Sequence, residues 1–153
     1  MKKLSFYFSL LILFVACGCS DNQEEVIYKK FKDESWSRFD ILHYEIPVRA
    51  SEKNYDVFLF VHHTKEFEFD HLVFNMTMTT PSGEERIKEY EMDIKRKDGK
   101  FMGQCINDSC EISIALKKEL KLTKGILTLD IENLVPRLQT KGLLGIGIRL
   151  HPL

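Results

Sequence analysis

A surplus of charge is absent from this chain. Its 153 residues carry 22 Lys and Arg against 23 Asp and Glu, a formal net of -1. A general nucleic-acid binder needs a concentrated basic surface, so that class is set aside and no nucleic-acid partner is expected. Glycine and proline are scarce, at eight and four residues, too few for a disordered or repetitive chain. No internal repeat is evident. No succession of strand and helix patterns and no long amphipathic helix are found, which argues against an α/β fold. The most apolar run near the N-terminus, Leu4 to Ala16, is shorter than the roughly 20 residues a membrane span requires. The length suits one domain better than two.

That run has its own meaning. Lys2 and Lys3 precede it, and the polar acidic segment Ser20-Asp21-Asn22-Gln23-Glu24-Glu25 follows. A positive start and an apolar stretch of this length mark an export signal. The run ends in Leu13-Phe14-Val15-Ala16-Cys17-Gly18-Cys19-Ser20. Small residues followed at once by cysteine resemble the lipobox of bacterial lipoproteins, where a diacylglyceryl group is placed on the thiol and cleavage leaves that cysteine first. Only a sulfur nucleophile gives the thioether. Two positions fit. Cys17 follows Phe14, Val15 and Ala16 and is preferred for its apolar flank; Cys19 follows Cys17 and Gly18, precedes Ser-Asp, and is the alternative. The expected organisation is a cleaved lipoprotein signal peptide over 1–16, a lipidated N-terminus and tether over 17–35, and a folded domain over 36–153. Palmitate-type acylation makes a lipid membrane the first partner, since several acyl chains hold firmly where one is marginal. A zinc or redox site would instead set CxC or CxxC beside a folded element with more Cys or His nearby.

Beyond the leader the apolar period is near two. Strands are expected over Phe39–Val48, Tyr55–His63, Leu72–Thr79, Ile87–Lys95, Phe101–Cys105, Gly125–Glu132 and Gly142–Leu150. Glu111–Leu122 reads as a strand, EISIAL, running into a lysine-rich loop, and Leu134–Lys141 reads as a loop. Leu72, Phe74, Met76 and Met78 share one side, as do Tyr90, Met92 and Ile94, and Leu144, Ile146, Ile148 and Leu150. Pro81-Ser82-Gly83 and Lys97-Asp98-Gly99-Lys100 are turn signals. The fold class is all-β, an antiparallel β-sandwich, with a jelly roll or flattened barrel as competitor.

Residues able to carry chemistry have plain structural readings. His62 and His63 are adjacent on a strand and face opposite ways, so they and His71 do not converge on a metal. His63 reads as a hydrogen-bonded histidine near a strand end. Asp40 and Glu45 lie on opposite parities and make no acid–base pair. Pro81 and Gly83 serve turn geometry. Trp36 is read as packing, in the core or as a plug at one end, with Tyr28, Phe31 and Trp36 locking the tether to the domain. Cys105 and Cys110 enclose four residues in a hairpin-like loop, a spacing that permits a disulfide in an exported chain. No cofactor, metal or catalytic activity is expected. The lysines between Lys117 and Lys124 read as a solvated face.

Several strings resemble one known family. Trp36-Ser37-Arg38-Phe39-Asp40-Ile41-Leu42-His43-Tyr44-Glu45-Ile46-Pro47-Val48 resembles the W-x-x-F-D-x-L-x-F-E-I-x-V segment of GldH, the gliding-motility-associated lipoproteins of Bacteroidetes. Tyr55–Thr64 resembles its Y-D-L-Y-L-x-L-R-H-T strand, with His62 where the family usually has Arg. Thr80-Pro81-Ser82-Gly83, Asp98-Gly99-Lys100 with Gly103, and Gly142–Leu150 are similar to its later motifs. Cys105 and Cys110 lack an obvious counterpart. The resemblance implies a lipid-anchored protein of the cell envelope, facing the periplasm or the cell surface, tied to gliding and to the type IX secretion linked with it. It implies other envelope proteins of that complex as partners and no catalysis. The alternative is a surface or periplasmic module binding glycan or protein, with Tyr55, Phe58 and Phe60 as the aromatics of a groove.

Overall fold

Alternation of apolar and polar side chains builds two facing sheets. The computed structural model describes residues 23–153; the signal peptide and both candidate lipidation sites, Cys17 and Cys19, lie outside the described residues. The strands are β1 Glu25–Lys30, β2 Ser35–Ser37, β3 Leu42–Val48, β4 Lys53–Thr64, β5 His71–Thr79, β6 Glu85–Asp93, β7 Gln104–Ile106, β8 Ser109–Leu122, β9 Gly125–Asn133, β10 Gln139–Lys141 and β11 Leu143–Pro152. A five-stranded sheet runs β1-β11-β4-β8-β7 and a four-stranded sheet runs β3-β9-β5-β6; β2 and β10 form a small ribbon. All pairings are antiparallel. The chain is an antiparallel β-sandwich.

The inner faces follow the expected parity. Leu72, Phe74, Met76 and Met78 of β5, Tyr90 and Met92 of β6, and Leu127, Leu129 and Ile131 of β9 are buried. Against them pack Val57, Leu59 and Val61 of β4 and Ile146, Ile148 and Leu150 of β11. Two tyrosines also tie sheet to sheet. The Tyr44 hydroxyl donates to the Ile146 carbonyl at 2.9 Å, and the Tyr90 hydroxyl donates to the Leu116 carbonyl at 2.6 Å. Burial pushes both phenol pKa values up, so both stay protonated donors.

Four expectations are corrected. Residues 25–35 are not a tether: Glu25–Lys30 is β1, paired along its whole length with β11, and Trp36 on β2 follows a single 3₁₀ turn at Lys32–Glu34. The lysine-rich loop is the second half of β8. Its 14 residues oppose the 12 of β4 through register shifts around Val57, and Glu119 takes φ 52° there with its N–H donated to Asp56 Oδ1 at 2.8 Å. Extra residues of this kind throw side chains out of alternation. The exposed Lys117 and Lys118 lie where β8 has no outer strand neighbour, a placement that discourages pairing with another chain. The expected loop 134–141 ends in β10. Finally, a shift between Leu143 and Gly145 buries Leu143 and leaves Leu144 half-exposed.

At the β7–β8 hairpin Cys105 faces Cys110. The two are joined by a disulfide with Cα atoms 4.0 Å apart. Asn107 at φ 54° makes the tight turn. Closing so short a loop stabilises by about 2 kcal/mol. Denaturant titration with and without a reductant should show that difference, and unchanged midpoints would mean that the bond stabilises nothing.

Candidate functional site

The histidines go separate ways. His63 points inward at the end of β4 and is fully buried, with Phe101 and Phe67 at ring distances of 5.0 and 5.8 Å. Its Nδ1–H donates to the Thr64 carbonyl at 2.9 Å, while Nε2 has no partner. Burial lowers its pKa, opposed by the bond to Thr64. The neutral imidazole is the form this slot tolerates, and the bare Nε2 carries the cost of a buried acceptor left without a donor. His62 points outward to Glu111 at 2.6 Å, and His71 pairs with Asp93 at 2.7 Å. Among the described residues no three metal-ligating side chains converge.

His63 has a pH consequence. An unfolded chain takes up a proton below the ordinary value near 6.5 that the folded chain resists, so acidification draws the equilibrium toward unfolding. The wild-type midpoint should therefore fall below pH 6.5 more steeply than that of H63F, read from denaturation curves between pH 7.5 and 5. Parallel curves would count against the assignment. His43 works in the opposite sense: its bond to Asp130 at 2.7 Å raises its pKa, adding stability that fades as pH rises through the folded value.

Trp36 closes one end of the sandwich. Its ring stacks on Phe31 at 5.8 Å and 11°, and its indole N–H donates to the Asp40 carbonyl at 2.8 Å. Asn133, itself buried, donates from Nδ2 to the Trp36 carbonyl at 3.3 Å and to Thr140 Oγ1 at 2.8 Å, and accepts from the Val135 N–H at 3.0 Å. The ribbon β2–β10 is thereby fixed to β9. Asp40 enters through its backbone, and it is one of the residues lining a cleft of about 560 Å³ with Lys30, Lys32, Asp33, Lys141 and others. Asn133 has no sequence signal that would mark it, since its partners lie far along the chain.

Pro81 and Gly83 stand at the opposite end. The Gly83 N–H donates to the Thr80 carbonyl at 2.9 Å, with Pro81 at the second turn position and Gly83 at φ 87°. The turn is capped by Thr80 Oγ1, which accepts from the Glu84 N–H at 3.1 Å. Turn geometry accounts for both residues.

The outer face of the five-stranded sheet explains the doubled apolar pattern of β4. Tyr28 of β1 and Phe60 of β4 stack at 5.9 Å and 9°, lying over the glycines of β11. A Cβ on Gly147 would come within 2.2 Å of Phe60 Cζ, and one on Gly145 within 2.3 Å of Tyr28 Oη. Arg149 lies 5.3 Å over Phe60. The aromatics named for a groove are mostly covered: Tyr55 is core, Phe60 is buried, and Phe58 is half-buried.

Residues 25–150 match the family described as GldH lipoprotein, which spans the whole sandwich. A gliding motility lipoprotein GldH of Flavobacterium johnsoniae is 24% identical over 111 residues, covering 71% of this chain and 69% of the relative. Among solved structures, TmCBM61 in complex with beta-1,4-galactotriose is similar at TM-score 0.33 and 15% identity, over 86% of this chain and 71% of that one. The structure of infectious bursal disease virus Gx strain follows at 0.32 and 10%, over 85% and 32%. Both structural likenesses are too slight to bear on function.

Proposed function

Because this chain belongs to the GldH lipoprotein family, we propose that it is a lipid-anchored, non-catalytic component of the envelope machinery of gliding and the type IX secretion linked with it. The family match over the whole sandwich carries this reading. Its support in the structure is of one kind: the chemistry-bearing side chains named from the sequence do structural work. His63 fills an apolar slot, Pro81 and Gly83 shape a turn, and Trp36 locks an end of the fold. On this reading the chain acts by being held at a membrane and by touching other proteins.

Affinity purification from envelope membranes tests this directly. Recovery of gliding or secretion components with the tagged full chain is the expected result. Recovery of the chain alone, together with measurable glycan affinity, would replace this reading with the binding-module alternative. Deletion that leaves gliding and secretion intact in a host that does both would also overturn it.

A further inference from the structure

The strands give the molecule two ends that differ in the side chains they expose. β1 begins at Glu25 beside Leu150. At that end lie the turns after β3, β5 and β8, including Pro81 and Lys124. The other end carries Trp36, the β2–β3 segment and the β9–β10 segment. Ile106 at 73% is exposed at the same end on the separate β7–β8 hairpin, while on these two segments Phe39 at 77%, Leu138 at 68% and Ile41 at 56% exposure stand in solvent. Their loops are joined, for the Arg38 N–H donates to the Leu138 carbonyl at 3.0 Å. Beside them is the 560 Å³ cleft, in which Lys30, Lys32 and Lys141 outnumber Asp33 and Asp40. Arg38 and Arg137 flank the apolar residues in the sequence. The backbone under the cleft is strained, with Asp33 and Glu34 both in the left-handed region at φ 54° and 49°.

We propose that this tip, Phe39, Ile41 and Leu138 with the lysine-lined cleft, docks a protein partner that offers an apolar pocket rimmed by acidic residues. The inference rests on the lipid-anchored reading, which fixes the orientation. Cys17 lies eight residues before Glu25 and Cys19 six, a reach of at most about 28 Å and 21 Å fully stretched. The ten residues of β11 alone extend for about 33 Å. The anchored end therefore stays within that reach of its bilayer, and the domain cannot invert to set the tip between that end and the membrane. Exposed apolar groups held away from the anchoring membrane need another occupant, and clustered cations beside them select one of opposite charge.

Photo-crosslinking in intact cells tests the tip with the full lipidated chain. A benzophenone side chain is placed at position 39 or 138, and at 82 or 124 for comparison. Positions 39 and 138 should give the same discrete adduct with one non-self protein. That adduct should drop about tenfold in K30E/K32E/K141E and vanish from position 138 in F39D. Phe39 and the three lysines are solvent-facing, so both variants should melt with the wild type. Adducts to phospholipid, a self-adduct at twice the mass, no adduct at the tip, or an adduct indifferent to the lysines would each overturn the proposal. Fractionation and the mass of the mature N-terminus separate the two readings. A chain in the soluble fraction sinks the anchor and the orientation with it. A membrane-held chain with any of the contrary adduct patterns sinks the docking surface alone.

Discussion

W36A should lose about 4 kcal/mol of folding stability, the range for emptying a buried tryptophan site. Domains of this size hold roughly 5–15 kcal/mol in all, so the variant should sit near the edge of folding. The loss has three sources. The ring is 1% exposed and leaves a cavity that a small ribbon cannot collapse into without breaking its own bonds. The stack on Phe31 goes, and with it the fastening of the turn that leads out of β1. The Asp40 carbonyl loses its indole donor. W36F should cost less, about 2 kcal/mol, because a ring remains and only the bond and part of the volume are removed. N133A should be non-additive with W36A, since both act on the same ribbon. Urea titration followed by circular dichroism reads all three, and a W36A midpoint close to wild type would show that the end is not closed by this residue.

C17S should move the protein from the membrane to the soluble fraction. A diacylglyceryl cysteine holds by at least two acyl chains, each buried methylene contributing about 0.8 kcal/mol, while one chain alone binds only marginally and reversibly. Serine has no thiol to form the thioether, so the loss is all or none rather than graded. C19S should leave attachment intact. The reverse pattern would move the modification to Cys19 and give a shorter attachment. Retention of the double variant C17S/C19S on membranes would mean that lipid on these cysteines is not what holds the chain.

Much of the sandwich is legible in the sequence where a strand has one wet and one dry side. Leu72, Phe74, Met76 and Met78 alternate because β5 faces the core with one parity only. β1 escaped because its inward positions are Glu25, Ile27 and Lys29. Two are charged and are accommodated by partners no local pattern reveals: Arg49 for Glu25 and the Tyr44 ring, 5.5 Å from Lys29 Nζ. Its outward positions hold Val26 and Tyr28, so the strand reads inside out. The far half of β8 escaped for a different reason, since its register shifts break the alternation that identifies strands. The ribbon β2–β10 is too short, at three residues a side, to show any period. Of the candidate site, Trp36 was legible as packing. The exposed tip was not, because exposure of Phe39 depends on which loops meet at Arg38 and Leu138.

The pairing of β1 with β11 bears on mechanics. In the proposed arrangement the anchor is attached upstream of Glu25, and the tip lies beyond the far end of the same strand. Tension between the two runs along β1, while the bonds that hold it to β11 lie across that direction. For a pull on Leu138, which leads through β10 into β11, six residue pairs, Glu25 with Leu150 through Lys30 with Gly145, are loaded together in shear. Peeling, which would break them one after another, needs a sideways pull that this attachment point does not supply. Resistance to forced opening is set by an unfolding rate rather than by equilibrium stability, and a ladder sheared as a unit opens slowly.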